Sequence, residues 1–212
     1  MALASDTITR PLRAYLSDRL GEFGEIDSDR RHELDRLATY VRGVIHAGGT
    51  ARLTFVCTHN SRRSHLAQIW AQTAAAHFEI ATVETFSGGT EATAFHPNAV
   101  AAIERAGFLV DAPSGEANPQ VGVRWGKNAE PMACFSKVYD QSPNPREKFA
   151  AVMVCDSADA ACPFVPGADA RFAIKYQDPK AFDGTDREVE AYDERCRQIA
   201  RELLYAFSRV NG

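Results

Sequence analysis

Apolar residues recur at helical spacing in two stripes near the start of the chain. The stripes consist of Leu12, Tyr15, Leu16, Leu20 and Phe23, and of Leu34, Leu37, Val41, Val44 and Ile45. Residues three and four positions apart share one face of a helix, so each stripe predicts an amphipathic helix. Glycines between and after the stripes predict the ends of these helices. We therefore expect an N-terminal helical hairpin in residues 1–49, with a role in packing or dimerisation.

Short apolar runs alternate with helical patterns from residue 51 onward. The predicted strands are 52–56, 82–86, 149–154 and 171–176. The predicted helices are 61–77 and 97–106, and Gly107 ends the second of them. A last helix is predicted to start at the capping box of Thr185 and Glu188. Its predicted buried face consists of Val189, Tyr192, Ile199, Leu203 and Val210. This alternation predicts a three-layer α/β domain over residues 50–212, with a four-stranded parallel sheet flanked by helices. Functional residues are then expected at the carboxyl ends of the strands.

Residues 111–148 do not follow this alternation. They are rich in proline, glycine and asparagine, and they contain two β-like runs at 121–125 and 132–139. We expect an inserted β-like hairpin that lies over the sheet edge or over the functional site.

Composition and charge narrow the class of protein. The chain has 212 residues and a net charge of −4, which argues against a broad nucleic-acid or acidic-membrane surface. It shows no secretory leader pattern and no apolar run long enough to span a bilayer, so a cytoplasmic protein is expected. The five cysteines should then be reduced at rest. An anionic ligand would need a local concentration of positive potential.

Cys57 and Arg63 are separated by five residues, at a junction between a predicted strand and a predicted helix. Such a junction directs successive backbone N–H groups and the positive end of a helix dipole to one point. We expect Cys57 to act as a nucleophilic thiolate and Arg63 to clamp two oxygens of a tetrahedral oxyanion. The hydroxyl of Ser64 can donate to the sulfur, and Asn60 suits a left-handed loop position. The alternative is a buried cysteine beside a surface arginine.

Asp178 and Pro179 follow the fourth predicted strand, so they should reach the same edge of the sheet as Cys57. A carboxylic acid at that place could protonate a leaving oxygen. The alternative is a simple turn, which Asp-Pro commonly starts.

Cys155 and Cys162 form a second pair, with six residues between them. This is not a usual zinc spacing and no histidine lies nearby, so no metal and no cofactor are predicted. A helical turn between the two would have to unwind partly before the sulfurs could bond, which suits a thiol relay. Two inert cysteines are the alternative. Cys196 is expected to be structural, and Cys134 receives no role.

The segment from Val56 to Ser64 resembles the catalytic loop of low-molecular-weight protein tyrosine phosphatases and of the arsenate reductases built on that fold. Ser87–Glu91 and then Asp178-Pro179 follow in a similar order, and Cys155–Pro163 resembles the redox segment of the thioredoxin-coupled arsenate reductases. The resemblance implies that the loop residues hold arsenate or a phosphate-like oxyanion, namely Thr58, His59, Asn60, Ser61, Arg62 and Arg63.

The resemblance also implies a reaction. The Cys57 thiolate attacks arsenate while Asp178 protonates the departing hydroxyl. Cys155 then attacks Cys57 and releases arsenite, and Cys162 attacks Cys155. Thioredoxin would reduce the Cys155–Cys162 disulfide.

Three departures qualify the resemblance. Arg62 replaces a cysteine that many of these reductases carry, and it is expected to add positive charge for anion binding. Gln68 stands where some members use a glutamate to bind potassium, so that ion is not predicted. Lys180-Ala181-Phe182 replaces the tyrosine pair that follows the phosphatase Asp-Pro, which weakens a phosphotyrosine specificity.

Two other functions therefore stay open. One is a phosphatase that acts on phosphotyrosine or small phosphoesters through Cys57, Arg63 and Asp178. The other is a non-enzymatic redox or oxyanion sensor whose extension and insertion recruit a partner.

Overall fold

Six α-helices and seven β-strands are present in the computed structural model, which describes residues 8–113 and 115–210. In chain order the elements are α1 (Arg10–Gly21), α2 (Ser28–His46), β1 (Ala51–Cys57), α3 (Arg63–His77), β2 (Val83–Gly89), α4 (Pro97–Arg105), β3 (Leu109–Asp111), β4 (Val121–Arg124), β5 (Met132–Cys134), β6 (Phe149–Met153), α5 (Asp156–Ala161), β7 (Ala168–Ala173) and α6 (Glu188–Ser208). Parts of three predicted regions lie outside the described residues: 1–7 of the extension, 114 of the insertion and 211–212 of the last domain. None of the helices in the described ranges is long and apolar enough to cross a bilayer.

The main sheet has the strand order β2-β1-β6-β7, and every pairing in it is parallel. All four strands therefore end at the same edge, where Cys57 closes β1 and Cys155 follows β6. The residues of β6 are apolar and fully buried, as expected for a central strand of a parallel sheet. This arrangement confirms the predicted α/β fold.

The N-terminal hairpin is confirmed, and it shares its core with the sheet domain. Both α1 and α2 pack against α6, and the ring of Tyr15 stacks on that of Trp70 in α3 at 5.3 Å between centroids. At the end of α4, the carbonyl of Gly107 accepts from Thr9 Oγ1 at 2.6 Å. A Cβ on Gly107 would lie 2.3 Å from Leu12 N, so a glycine is required where α1 docks.

Several predicted boundaries differ from the structure by one to five residues. The last strand begins at Ala168 instead of Arg171, although the chain stays hydrogen-bonded to the end of β6 up to Tyr176 N. Helix α6 begins only at Glu188, the last residue of the predicted capping box. The Glu188 carboxylate accepts from Gly184 N at 2.7 Å, so it closes the preceding turn.

The predicted buried face of the last helix is correct with one exception. Val189 is 54% exposed, because it belongs to the first turn of α6, before the helix reaches the core. The other four residues of the predicted face are buried, namely Tyr192, Ile199, Leu203 and Val210.

The insertion contains the predicted β-like hairpin, and β3 adds a third strand to it. The result is a small antiparallel sheet in the order β3-β4-β5. After β5 the chain runs beside the end of β2, where Val138 pairs with Gly89. The insertion thus lies against both the sheet edge and the Cys57 loop.

Candidate active site

Four carbonyl groups of the loop between β1 and α3 accept hydrogen bonds from outside the loop. They belong to Cys57, Thr58, His59 and Ser61, and their donors at 2.9–3.1 Å are Thr90 N, Glu91 N, Ser136 Oγ and His96 N. Because a trans peptide is planar, the N–H group that follows each carbonyl points the opposite way. The amides of the next residues therefore face the concave side of the loop, next to the N-terminus of α3. Such a ring of amides is typical of an oxyanion site.

Asn60 and Gly89 make this loop shape feasible. Asn60 has φ 44°, the left-handed conformation expected at that position. A Cβ on Gly89 would lie 2.3 Å from Glu91 O and 2.6 Å from Thr58 O, so only a glycine fits between β2 and the loop. This close approach keeps the loop carbonyls turned outward.

The sulfur of Cys57 lies at the base of the loop, where the residue is 4% exposed. Its Sγ is 3.1 Å from Ser64 Oγ. Asn60 Nδ2 donates to the same Oγ at 2.8 Å, and the orientation of that amide is set by Lys137 N, which donates to Asn60 Oδ1 at 2.9 Å. Since Ser64 Oγ already accepts from Asn60, its own proton is free to point at the sulfur. The predicted Ser64 contact is therefore present.

Arg63 and Asp178 meet at the carboxyl edge of the sheet. Arg63 Nη2 donates to Asp178 Oδ2 at 2.5 Å, and Nη1 donates to the carbonyl of Tyr176 at 2.9 Å. Asp178 Oδ1 also accepts from Lys180 N at 3.1 Å. Arg63 Nε is buried, and no described residue pairs with it. The buried Nε–H of Arg63 is thus available to a ligand, while Nη2 is paired with Asp178.

Two known proteins are similar to this chain over most of its length. The chain is 26% identical over 157 residues to an arsenate reductase of Bacillus licheniformis and 27% identical over 156 residues to one of Bacillus subtilis. Each alignment covers 74% of this chain and 94% of the relative. No protein-family model matches the sequence.

Solved structures show the same fold. A low-molecular-weight phosphotyrosine phosphatase of Vibrio cholerae O395 matches with a TM-score of 0.50 and 14% identity, over 73% of this chain and 93% of that one. The YwlE arginine phosphatase of Geobacillus stearothermophilus matches with a TM-score of 0.51 and 15% identity, over 76% of this chain and 93% of that one. The chain therefore has the fold of these phosphatases.

Arg62 is turned away from the concave side of the loop. Its Nε donates to Tyr192 Oη at 2.8 Å, and its Nη2 lies 3.4 Å from Asp183 Oδ2. Tyr192 Oη in turn donates to Asp183 Oδ1 at 2.8 Å. The Asp183 carboxylate therefore compensates the charge of Arg62, which the sequence had suggested for the anion. Arg62 contributes its backbone to the loop and fastens the loop to α6.

Lys137 was missed by sequence reasoning because it lies in the insertion, far from the loop in the chain. It is 4% exposed, and burial lowers the pKa of its amine to about 8, while the Cys134 thiol opposes that shift. Burial also lowers the pKa of His65 to about 3, with a further decrease from Lys137, so the His65 ring is neutral. Its Nδ1 lies 3.1 Å from Ser87 Oγ. Lys137, His65 and Ser87 are thus buried polar residues next to the loop, and the Lys137 N–H holds the loop residue Asn60.

Cys155 lies beside the loop, and Cys162 lies at the far end of α5. Cys155 Sγ is 3.6 Å from Thr58 Oγ1 and accepts from Ala158 N at 3.3 Å. Cys155 caps the start of α5 and Cys162 caps its end, so a helix separates them as predicted. Burial raises the pKa of the Cys162 thiol, and Arg171 opposes that shift. All five cysteines are free thiols.

A recess of about 360 Å³ lies beside the loop, and His59, Arg62, His96 and Lys180 are among its lining residues. In the described ranges, no group of three or more histidine, cysteine or acidic side chains could hold a metal ion. The amide of Gln68 donates to the carbonyl of Thr85 at 3.3 Å.

Proposed function

We propose that this chain is an arsenate reductase that uses Cys57, Cys155 and Cys162 as a thiol relay and thioredoxin as its reductant. The proposal rests above all on one contact: Cys155 Sγ lies 3.6 Å from the hydroxyl of Thr58, the residue that follows the nucleophile. A phosphatase has no need of a second thiol at that place. The arsenate reductase relatives, which align over 74% of this chain, support the same function.

In the first step the Cys57 thiolate attacks the arsenic atom of arsenate. A sulfur–arsenic bond forms, and an arsenic–oxygen bond breaks as Asp178 supplies a proton to the oxygen, which leaves as water. Asp178 must be protonated and released from Arg63 for this step. The guanidinium of Arg63 then turns to the oxyanion, together with the inward-facing loop amides.

In the second step the Cys155 thiolate attacks the sulfur of Cys57. The electron pair of the sulfur–arsenic bond stays on arsenic, so arsenite leaves and a Cys57–Cys155 disulfide forms. The N–H of Ala158 at the start of α5 donates to Cys155 Sγ, an interaction that is stronger with an anionic sulfur.

In the third step the Cys162 thiolate attacks Cys155 and expels the Cys57 thiolate. Helix α5 separates the two cysteines by roughly 10 Å along its axis, at about 1.5 Å per residue. A disulfide needs Cα atoms about 6 Å apart, so α5 must unwind at least in part. Thioredoxin then reduces the Cys155–Cys162 disulfide to two thiols, and the two cysteines of thioredoxin become oxidised to a disulfide.

The remaining parts of the chain fit this function. We assign catalysis to residues 50–212 and a packing or dimerisation role to the extension of residues 1–49. The cytoplasm is the compartment in which thioredoxin keeps such thiols reduced.

A coupled assay tests the proposal. With thioredoxin, thioredoxin reductase, NADPH and arsenate, the wild type should oxidise NADPH steadily, and Cys57→Ser, Cys155→Ser and Cys162→Ser should each abolish multiple turnover. Cys134→Ser is the control, because Cys134 is fully buried and burial keeps its thiol protonated by raising the pKa to about 12.

Three results would contradict the proposal. Steady turnover without Cys162 would exclude the relay. Phosphoester hydrolysis without a reductant, indifferent to Cys155 and Cys162 and accompanied by no arsenate turnover, would make the chain a phosphatase. Tight oxyanion binding without turnover in either assay would make it a sensor.

A further inference from the structure

Arg30 of α2 reaches across to the chain that follows β7. Its Nη2 donates to the carbonyl of Lys175, and its guanidinium carbon lies 5.1 Å from the ring centroid of Tyr176. Its Nε lies 3.1 Å from Glu202 Oε2 on α6. The N-terminal hairpin thus contacts a segment close to the candidate active site.

The segment from Lys175 to Asp178 is the one that holds Arg63. Tyr176 contributes its carbonyl to Arg63 Nη1 at 2.9 Å, and Asp178 contributes its carboxylate to Nη2 at 2.5 Å. Tyr176 N donates to Val154 O at 3.1 Å, so the segment here still follows β6. Successive carbonyls of an extended chain point to opposite sides. Two arginines therefore hold one dipeptide from opposite sides: Arg30 holds the Lys175 carbonyl, and Arg63 holds the Tyr176 carbonyl.

Burial and charge make the Arg30 contact specific. The side chain of Glu202 is 4% exposed and that of Arg30 is 17% exposed, so each compensates the other's charge away from bulk water. Tyr176 is buried beside them; burial raises the pKa of its hydroxyl, and the Glu202 carboxylate raises it further. A neutral Tyr176 ring under a guanidinium is a stable cation–π pair.

We propose that Arg30 is a positioning residue of the oxyanion site: it sets the place of the Tyr176 carbonyl and thereby aims the Arg63 guanidinium. The N-terminal hairpin would then be part of the anion-binding apparatus. Arg30 has this role only if Arg63 binds the oxyanion as proposed above, but the role does not depend on the redox steps.

Arg36 provides a matched control on the same helix. Its guanidinium carbon lies 5.9 Å from the ring centroid of Phe172 inside β7, and its Nη1 lies 3.3 Å from Glu33. Arg36 thus makes the same kind of aromatic contact, but to a part of β7 that does not hold Arg63, and its ion pair is exposed and lies within α2.

The test measures the affinity of inorganic phosphate through protection of Cys57 against iodoacetamide, with the modified peptide quantified by mass spectrometry. The variants are Arg30→Lys, the double variant Arg30→Met with Glu202→Gln, which leaves no buried unpaired carboxylate, and Arg36→Met. The double variant should weaken phosphate binding about 10-fold, as expected for the loss of a hydrogen bond from a charged group. Arg30→Lys keeps the charge but not the planar set of N–H donors of a guanidinium, so this variant should lose part of the affinity for phosphate. Arg36→Met should change the affinity less than about 2-fold.

A double-mutant cycle, in which the Arg30 variants are combined with Arg63→Ala, separates positioning from general destabilisation. If Arg30 acts through Arg63, the Arg30 effect should disappear in the Arg63→Ala background. A full Arg30 effect in that background, or unchanged phosphate affinity in the double variant, would overturn the proposal. Thermal unfolding of each variant confirms that the protein measured is folded. Wild-type protein that binds phosphate but does not reduce arsenate would contradict the proposed function and leave the Arg30 comparison intact.

Discussion

The Cys57 loop and the Cys155–Cys162 segment have related roles in the proposed thiol relay but are held in different ways. The loop is fastened through its own carbonyls by the segments after β2 and β5, and its anion-facing amides are thereby fixed. Helix α5 has six residues, and its attachments include ion pairs of Arg171 and Lys175 with Asp159 and Asp156. Arg171 also donates to the carbonyls of Asp159 and Cys162. Partly exposed ion pairs contribute about 1 kcal/mol or less each.

This difference corresponds to the work that each region has to do. A site that stabilises charge on an oxyanion works best when its donors are already in place before the ligand arrives. A relay between cysteines at the two ends of a helix instead needs a segment that unwinds at low energetic cost. The predictions below change one region at a time.

Gly89→Ala should have the largest effect, because the new Cβ would lie 2.3 Å from Glu91 O and push the loop carbonyls aside. We expect phosphate binding to weaken at least about 100-fold and the free energy of unfolding to fall by about 3 kcal/mol. Phosphate protection of Cys57 and urea denaturation measure the two quantities. Gly43→Ala on α2 is the control, since its Cβ meets nothing within 4 Å and should stabilise slightly. Wild-type affinity in Gly89→Ala would show that the loop is not fixed by this approach.

His65 should make the loop region sensitive to acid. Burial lowers the pKa of His65 to about 3 in the folded protein, from an ordinary value of 6.5. As the pH falls below 6.5 the unfolded chain takes up the proton first, so stability is lost at about 1.4 kcal/mol per pH unit, or about 3 kcal/mol by pH 4.5.

Urea denaturation at pH 7 and pH 4.5 tests this acid sensitivity. Between pH 7 and pH 4.5, the free energy of unfolding of His65→Gln should fall by about 3 kcal/mol less than that of the wild type. His32→Gln changes an exposed histidine and should keep the wild-type pH dependence. An equal loss in His65→Gln and the wild type would exclude His65 as the cause.

Ser64→Ala should slow the reaction of Cys57 while leaving the loop folded. The hydroxyl lies 3.1 Å from the sulfur and stabilises its anionic form. We expect about 10-fold slower alkylation of Cys57 by iodoacetamide. Ser157→Ala, an exposed position on α5, is the matched control from the other region. A wild-type alkylation rate in Ser64→Ala would contradict this role of the hydroxyl.

Asp159→Asn should have the smallest effect, and it should accelerate the relay. Asp159 pairs with Arg171 and lies 3.6 Å from Lys175, so its loss should ease the unwinding of α5. We expect the Cys155–Cys162 disulfide to form about 2- to 3-fold faster in a single arsenate turnover, followed by acid quench and mass spectrometry. Asp156→Asn, whose side chain is 85% exposed, should change the rate less. Slower disulfide formation in Asp159→Asn would contradict an unwinding step.

Features that depend on neighbours in the chain could be predicted from the sequence. The contact of Ser64 with Cys57 follows from a strand, a short loop and a helix start in succession. The arrival of Asp178 beside Arg63 follows because parallel strands end at one edge. Element boundaries were less accurate: Val189 is exposed and α6 starts late, since capping residues can also close a turn ahead of the helix.

Features that depend on distant segments could not be predicted in this way. Arg62 carries the same charge in the sequence as Arg63, yet it pairs with Asp183, 121 positions away, and not with the anion side of the loop. Lys137 likewise contacts Asn60 of the loop from the insertion, and Arg30 contacts Lys175 and Tyr176 from the N-terminal hairpin. The sequence by itself determined the fold class and predicted a nucleophile and a thiol pair, because strand–helix periodicity and local spacing are short-range properties. Only the tertiary structure decided which charges face the oxyanion, because a long side chain takes its direction from the carboxylates and carbonyls that folding brings within its reach.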